Sequence, residues 1–294
     1  MKYKKFFVLL SVALVAASIT LLCIFGLRLG IDFKGGAQME LSYTGERPEM
    51  AVLKSAAANA GFGDALVQPA GEHDYIIKTR DLSEAERTAL IAAATINGTF
   101  PAEQKSFTSI GPSVGSELKR KAIGAIILVL IAIITFIAYA FRKVSKPVSS
   151  WKYGLIAVVT LVHDVVIPMG IYVVLSWVYG TEIDTLFVVA LLTILGLSVA
   201  DTIVVFDRVR ENLHAKKGQP FETLVGESLR QTFVRSINTS LTVILAVIAL
   251  AVFGPESTRS FAIVLAAGMF FGAYSSIFLA SPLLVYVNQW QGKK

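Results

Sequence analysis

Apolar residues run along this chain in six long blocks, at about residues 6–27, 123–141, 153–178, 185–206, 232–253 and 261–286. Charged residues are almost absent inside the blocks and dense between them. A bilayer core demands about 20 largely apolar residues per helix, because every backbone N–H and C=O must be paired within the segment. The blocks therefore predict six spanning helices. Between the first and second blocks the pattern changes to short alternating runs and shorter helical periods. Strands are expected at 37–42, 64–68, 74–78 and 104–109, and helices at 48–60 and 83–96. Pro48 suits a first helical turn, Ser83 followed by Glu86 makes a capping box, and Asn97-Gly98 supplies a stop. The residues 69–73, with Gly71, form the expected hairpin turn. Strand, helix, two strands, helix, strand is the order of a ferredoxin-like α+β domain. The expected division is a spanning helix at 1–27, an α+β domain at 28–118, and five further spanning helices with their loops at 119–294.

Composition agrees with this reading. The 294 residues are 54% hydrophobic and 16% charged, against about 25% charged in soluble domains. The single cysteine, Cys23, lies in the first block, so no intrachain disulfide supports the α+β domain. Lysines at the start and small residues near Ala16 and Ala17 would suit a signal peptide. The apolar run continues through Phe25, however, longer than a signal core, and an uncleaved anchor is expected.

The net charge of +6 is spread over helix ends, which points to topology rather than to nucleic acid. Lys2, Lys4 and Lys5 precede helix one; Arg142, Lys143, Lys146 and Lys152 follow helix two. Arg208, Arg210, Lys216 and Lys217 follow helix four, and Lys293 and Lys294 close the chain. With six spans these clusters share one side, so both termini are expected in the cytoplasm and residues 28–118 outside. Lys119, Arg120 and Lys121 oppose the rule and are expected either to snorkel or to form a stop at the headgroups. A short acidic loop, 181–184, separates helices three and four.

Ionisable residues within hydrocarbon are costly and mark function by default. Asp201 lies about 9 Å along the helix from Asp207 and Arg208, which mark the exit of helix four. A carboxylate there loses hydration and is suited to bind and release a proton. In helix five, Arg235, Asn238, Thr239 and Thr242 recur at i, i+3, i+4 and i+7, one polar face expected to meet protein or water. Either Asp201 is a proton site to which Arg235 and neighbouring hydroxyls respond, or Asp201 and Arg235 form a static buried pair, or Asp201 sits at an interfacial depth without a special role. His163-Asp164 lies near the middle of helix three, with Pro168 one turn on, able to bend the helix and free a carbonyl. A structural hydrogen-bonding role at a shallower depth is the competing reading for that pair. Gly196, Ser198 and Ala200 in helix four, and Gly268, Gly272 and Ser276 in helix six, allow close backbone approach, within the bundle or against another membrane subunit.

There is no nucleotide-binding loop, no metalloprotease helix and no hydrolase nucleophile motif. Three histidines, widely separated, give no metal set. No catalytic residue, cofactor or metal is expected. The energy source must lie elsewhere, and the membrane potential is worth about 2.3 kcal/mol per charge per 100 mV.

Four pieces in order carry a resemblance. They are Gly30-Ile31-Asp32-Phe33-Lys34-Gly35-Gly36 after helix one and His163-Asp164-Val165 in helix three. With them stand the run from Asp201-Thr202-Ile203-Val204-Val205-Phe206 to Asn212, and Arg235-Ser236-Ile237-Asn238-Thr239-Ser240. Together they resemble the SecD/SecF family of protein-export membrane proteins, on the SecF side, relatives of the proton-driven RND transporters. The resemblance implies a six-helix transmembrane bundle of RND type with an external ferredoxin-like α+β domain, in the cytoplasmic membrane. It implies an accessory subunit of the Sec translocase that pairs with SecD and associates with the SecYEG channel and, in some assemblies, with YajC and YidC. It also implies use of the proton motive force to promote translocation of a polypeptide. Asp201 and Arg235 match the family's proton-transfer positions, with Ser198, Thr202, Asn238, Thr239, His163 and Asp164 as supporting polar groups. Asp32, Gly35 and Gly36 form a structural motif whose glycines serve backbone geometry. One departure is Ala200, where the family usually has Asn; the hydrogen bonding around Asp201 is expected to differ accordingly. A non-energised structural subunit and a small-solute proton-driven exporter are the alternatives.

Overall fold

The computed structural model describes residues 3–96, 98–142, 148–216 and 218–291. The chain divides into two compact units: a helical unit of Met1–Leu27, Ala125–Thr181 and Leu186–Lys294, and an α+β unit of Arg28–Gly124 with Glu182–Thr185. The basic residues Lys2, Lys143, Lys146, Lys217, Lys293 and Lys294, and Asn97 of the expected helix stop, lie outside the described residues.

After helix α1 (Lys4–Phe25), the α+β unit runs α2 (Ile31–Lys34), β1 (Gly36–Tyr43), α3 (Met50–Asn59), β2 (Leu66–Ala70), β3 (Asp74–Thr79), α4 (Glu84–Ala94) and β4 (Ala102–Ile110). The sheet order is β2-β3-β1-β4, antiparallel throughout, which is the ferredoxin-like arrangement. Alternation along β1 sends Ala37, Met39, Leu41 and Tyr43 to one side, where they join Leu53, Ile77 and Leu90 in the core. Met39 stands opposite Ile77 on one flank and Phe107 on the other, so the central strand fixes the register of both neighbours. The Tyr43 hydroxyl is raised to about 12 by burial and the neighbouring Tyr75, and it donates to the Ala94 carbonyl at the end of α4.

Ser83 caps α4 as expected: its Oγ accepts from the Glu86 N–H at 3.4 Å, and Glu86 Oε2 accepts from the Ser83 N–H at 2.8 Å. Three expectations shift. Pro48 precedes the N-cap Glu49 rather than opening the helix, and its carbonyl accepts from the Tyr75 hydroxyl at 2.9 Å. Pro69 belongs to β2 instead of the turn, tolerated because β2 is an edge strand with no partner beyond it. The second strand starts at Leu66 rather than at residue 64, while the Asp64 carboxylate accepts from the Thr79 hydroxyl at 3.3 Å.

The helical elements continue with α5 (Pro112–Ala140), α6 (Ser150–Tyr179), α7 (Thr185–Ala215), α8 (Phe221–Phe253), α9 (Glu256–Ser275), a π-helical turn (Ser276–Ala280) and α10 (Ser281–Gln291). Among the described residues six helices are long and apolar enough to cross a membrane, the last made of α9, the π turn and α10 together. Pro168 sits inside α6 without ending it. The polar stretch 207–230, between the fourth and fifth apolar blocks, is mostly helix: α7 runs on to Ala215 and α8 begins at Phe221. Side chains hold these extensions together. Arg208 Nε donates to Gln231 at 2.6 Å, Asn212 Nδ2 donates to Ser228 and Gln231, and Lys216 pairs with Glu227. The bundle core stacks Phe141 on Tyr153, with Phe206 edge-on to both, beside Leu161, Leu195 and Val209.

Helices α6, α7 and α9 bury much of their surface within the helical unit, whereas α1, α5 and α8 turn apolar residues such as Leu9, Leu128 and Leu245 outward. The small residues of α9 pack inside the unit. A Cβ at Gly268 would overlap the Ile194 side chain, and one at Gly272 would lie 3.1 Å from Ser198 Cβ. The stripe thus seats α9 on α7.

Candidate functional site

Where α6, α7, α8 and α9 pack, their few polar residues meet one another. Asp164 on α6 is fully buried. Its Oδ1 lies 2.8 Å from His163 Nδ1, and its Oδ2 accepts from the hydroxyls of Ser198 on α7 and, at 2.8 Å, Ser275 on α9. The Ser275 hydroxyl also lies 3.0 Å from the Gly272 carbonyl. His163 is buried too, stacked on Tyr274 with ring centroids 5.9 Å apart, and its Nε2 has no hydrogen-bond partner among the described residues. The Tyr274 hydroxyl donates to the Phe7 carbonyl of α1 at 3.0 Å. The pair is buried inside the helical unit and hydrogen-bonded there.

One turn along α7, buried Thr202 shares a 2.8 Å hydrogen bond with Ser276, the first residue of the π turn. Partly buried Asp201 accepts from the Ser236 hydroxyl of α8 at 2.5 Å through Oδ1, while its Oδ2 has no partner among the described residues. Asp164 and Ser276 also neighbour Asp201 closely enough to act on its charge. Every direct partner of the two carboxylates is a neutral hydroxyl or His163. A charge in such surroundings is expensive, and an oxygen without a donor more so.

The structure separates part of the expected constellation. Arg235 is exposed on α8 and forms no ion pair with Asp201; its charge reaches the carboxylate only across space. The static buried Asp201–Arg235 pair is therefore corrected: Ser236, one residue on, points inward instead. Asn238, Thr239 and Thr242 are exposed beside Arg235, and Thr242 donates to the Asn238 carbonyl at 2.7 Å. The polar face of α8 thus lies on the surface of this chain.

Sequence reasoning did not single out Ser236 or Ser275 as partners, passed over Tyr274, and took Ser276 only as a small packing residue. One signal was available. Ser281-Pro282 interrupts the last block; Pro282 has no N–H to return to the preceding turn, and the π-helical turn ends just before Ser281. That widened turn starts at Ser276, next to Ser275.

In the α+β unit, Asp32, Gly35 and Gly36 do structural duty. Asp32 Oδ2 accepts from the Thr185 N–H at 2.8 Å and from its hydroxyl at 2.6 Å. The 182–185 segment joins this unit further through Gly30 N–H to Ile183 O at 2.7 Å and Glu182 to Lys34 at 2.8 Å. A Cβ at Gly36, whose φ is +140°, would stand 2.6 Å from the Thr79 carbonyl oxygen. At Gly35, with φ +82°, it would stand 2.8 Å from Pro112 Cα. Only glycine fits both places.

A multi-spanning helical membrane protein with an inserted α+β domain and a carboxylate-bearing intramembrane polar cluster is the class these features define. A family model for the protein export membrane protein SecD/SecF, C-terminal, matches residues 91–290, and one for the SecD/SecF GG motif matches residues 20–45. The protein translocase subunit SecF of Thermobaculum terrenum is 41% identical, over 99% of this chain and 93% of its own length. That of Anaerolinea thermophila is 35% identical, over 95% and 90%. The crystal structure of SecDF, a translocon-associated membrane protein from Thermus thermophilus, superposes with a TM-score of 0.85 at 30% identity and covers 99% of this chain. The chain spans 38% of the length of that SecDF chain. The chain belongs to the SecF family of the SecD/SecF protein-export membrane proteins.

Proposed function

We propose that this chain acts in Sec-mediated protein translocation as a proton-coupled subunit, pairing with SecD and working beside the SecYEG channel, with YajC and YidC in larger assemblies. Both termini face the cytoplasm, and residues 28–118 stand on the far side of the cytoplasmic membrane. The observation that carries the reading is Asp201: a carboxylate within a spanning helix, bonded through Oδ1 to Ser236, near Ser276, and with no hydrogen bond at Oδ2 and no ion pair among the described residues. Ionised, it leaves a lone pair and a charge poorly served. Protonated, it loses the charge and gains a donor that Oδ2 can offer. The two states therefore favour different placements of α7 against α8, and the gradient supplies the bias, about 2.3 kcal/mol per charge per 100 mV. Arg235, close enough to favour the ionised state and exposed on the same helix as Ser236, tunes this balance. Thr202 and Ser198 support the buried polar path, Asn238 and Thr239 lie beside Arg235 on the exposed face of α8, and Ala200 leaves Asp201 without a side-chain amide from the preceding residue.

The test is export into inverted membrane vesicles at matched levels of this chain and SecD, with and without a protonophore. Asp201→Asn keeps the shape and removes the titration. The expected result is loss of the gradient-stimulated component with assembly intact. Survival of that component would leave a structural subunit that stabilises the translocase without energising it.

A further inference from the structure

A second carboxylate in the helical unit does work that the proposal for Asp201 does not use. Asp164 is fully buried, more so than Asp201, and among the described residues no lysine or arginine from a helix packed against it pairs with it. Its surroundings can be counted group by group. His163 is the titratable neighbour on its own helix, Asp201 the one on α7, and α9 contributes the Tyr274 phenol, stacked on His163. Arg235 on α8 is exposed and faces the Asp201 end, and α1 contributes Ser11, whose hydroxyl donates to Tyr274 at 3.3 Å. Among the described residues no arginine or lysine pairs with Asp164, so within this cluster electroneutrality comes from a proton on the His163–Asp164 pair itself.

Hydrogen-bond arithmetic agrees. The Ser275 hydroxyl has one proton and two acceptors in range, the Gly272 carbonyl at 3.0 Å and Asp164 Oδ2 at 2.8 Å. A proton on Asp164 lets both contacts be satisfied at once, with the acid donating to the serine and the serine to the carbonyl. Without it, one is weakened. His163 Nε2, buried and without a partner, is the other idle position of the pair: a protonated imidazole would leave a buried donor unmet there, which favours the acid as the proton's resting place. The adjacent serines at the π turn then join the two carboxyl sites, Ser275 to Asp164 and Ser276 to Thr202 beside Asp201.

We propose that the His163–Asp164 pair is a second proton-binding site, holding one exchangeable proton and coupled to Asp201 through the Ser275-Ser276 turn and through direct repulsion of the two carboxylates. The inference deepens the reading of Asp201 as a proton site and rests on it for its functional meaning. Ionising both groups at once is unfavourable, so release of a proton from one raises the hold of the other on its own. Asp164 is then a positioning residue for Asp201, fixing the range in which Asp201 exchanges.

The experiment is pH-difference infrared spectroscopy on the full chain in lipid, prepared with carboxyl-labelled aspartate. Two buried carboxylic acid signals are expected, one lost in Asp164→Asn and the other in Asp201→Asn. Removing Asp164 shifts the midpoint of the remaining signal by about one pH unit. His163→Gln keeps the carboxyl and is expected to move the Asp164 signal, which serves if Asp164→Asn does not fold. A spectrum and an Asp201 midpoint unchanged by Asp164→Asn, or an Asp164 signal indifferent to His163→Gln, overturns the inference. Absence of the Asp201 signal alone would instead sink the reading of Asp201 and leave the second site standing.

Discussion

Carboxylates in the two units of this molecule keep different company. In the α+β unit Glu86 accepts from the Ser83 N–H and hydroxyl and from the Arg80 guanidinium at 2.6 Å, and Arg80 first, then Ser83, hold its carboxyl down at about 2. Asp74 meets Lys105, and Glu182 meets Lys34 and Lys78. In the helical unit the partners of Asp164 and Asp201 are hydroxyls and one imidazole, and neither is ion-paired to a lysine or arginine among the described residues. The first group are ion-paired charges: Glu86 caps α4, Asp74 pairs with Lys105 of β4, and Glu182 pairs with Lys34 and Lys78. The second group receive hydrogen bonds from neutral hydroxyls and His163 in place of a paired lysine or arginine among the described residues. Residue type alone does not separate the two; partners do.

The comparison can be broken from either side. The largest effect expected in the α+β unit is at its core. Leu41 is fully buried on the central strand, and Leu41→Ala should cost about 2–5 kcal/mol, read as lost hydrogen-exchange protection of the β1 and β3 amides in the full chain. Protection of α6 and α7 should be unchanged if the unit holds itself together. A smaller effect is expected at the cap: Ser83→Ala should destabilise α4 by about 1 kcal/mol, visible as faster exchange in its first turn. The smallest is a pH effect. Glu86 has its carboxyl lowered from 4.5 to about 2, so its contribution is complete above pH 4.5 and fades as pH falls from there toward 2. Exchange at the start of α4 should therefore accelerate over that window in the wild type and stay flat in Glu86→Gln. A flat wild-type profile would mean that Glu86 is not the ion-paired charge described.

The sequence was most readable where one physical rule dominates. Six apolar blocks announced six helices because lipid permits little else. Alternation in β1 and the Ser83–Glu86 box announced the α+β unit, while Gly35 and Gly36 drew notice only through the family resemblance. Asp201 and Asp164 stood out because carboxylates are conspicuous among leucines. Their partners did not, since a serine in a spanning helix reads the same whether it packs, bonds its own carbonyl or serves a carboxylate. Ser236 and Ser275 were settled only by helix rotation, which places Ser236 inward and Arg235 outward one residue apart. Local pattern also could not tell that residues 207–230 would extend α7 and α8. Their polar side chains resemble a loop until Asn212, Ser228 and Gln231 are seen to bond one another.

If the hydroxyl-bonded Asp201 is the working carboxylate proposed above and the ion-paired carboxylates of the α+β unit are structural, the two kinds must respond differently to loss of their charge. The most direct test places Asp201→Asn beside Glu86→Gln in the same vesicle export assay, each with SecD at wild-type levels and with the proton gradient intact or collapsed. The account predicts that Asp201→Asn exports at the collapsed-gradient rate whether or not the gradient is present, and that Glu86→Gln retains the full gradient stimulation. Equal stimulation in the two variants would contradict it.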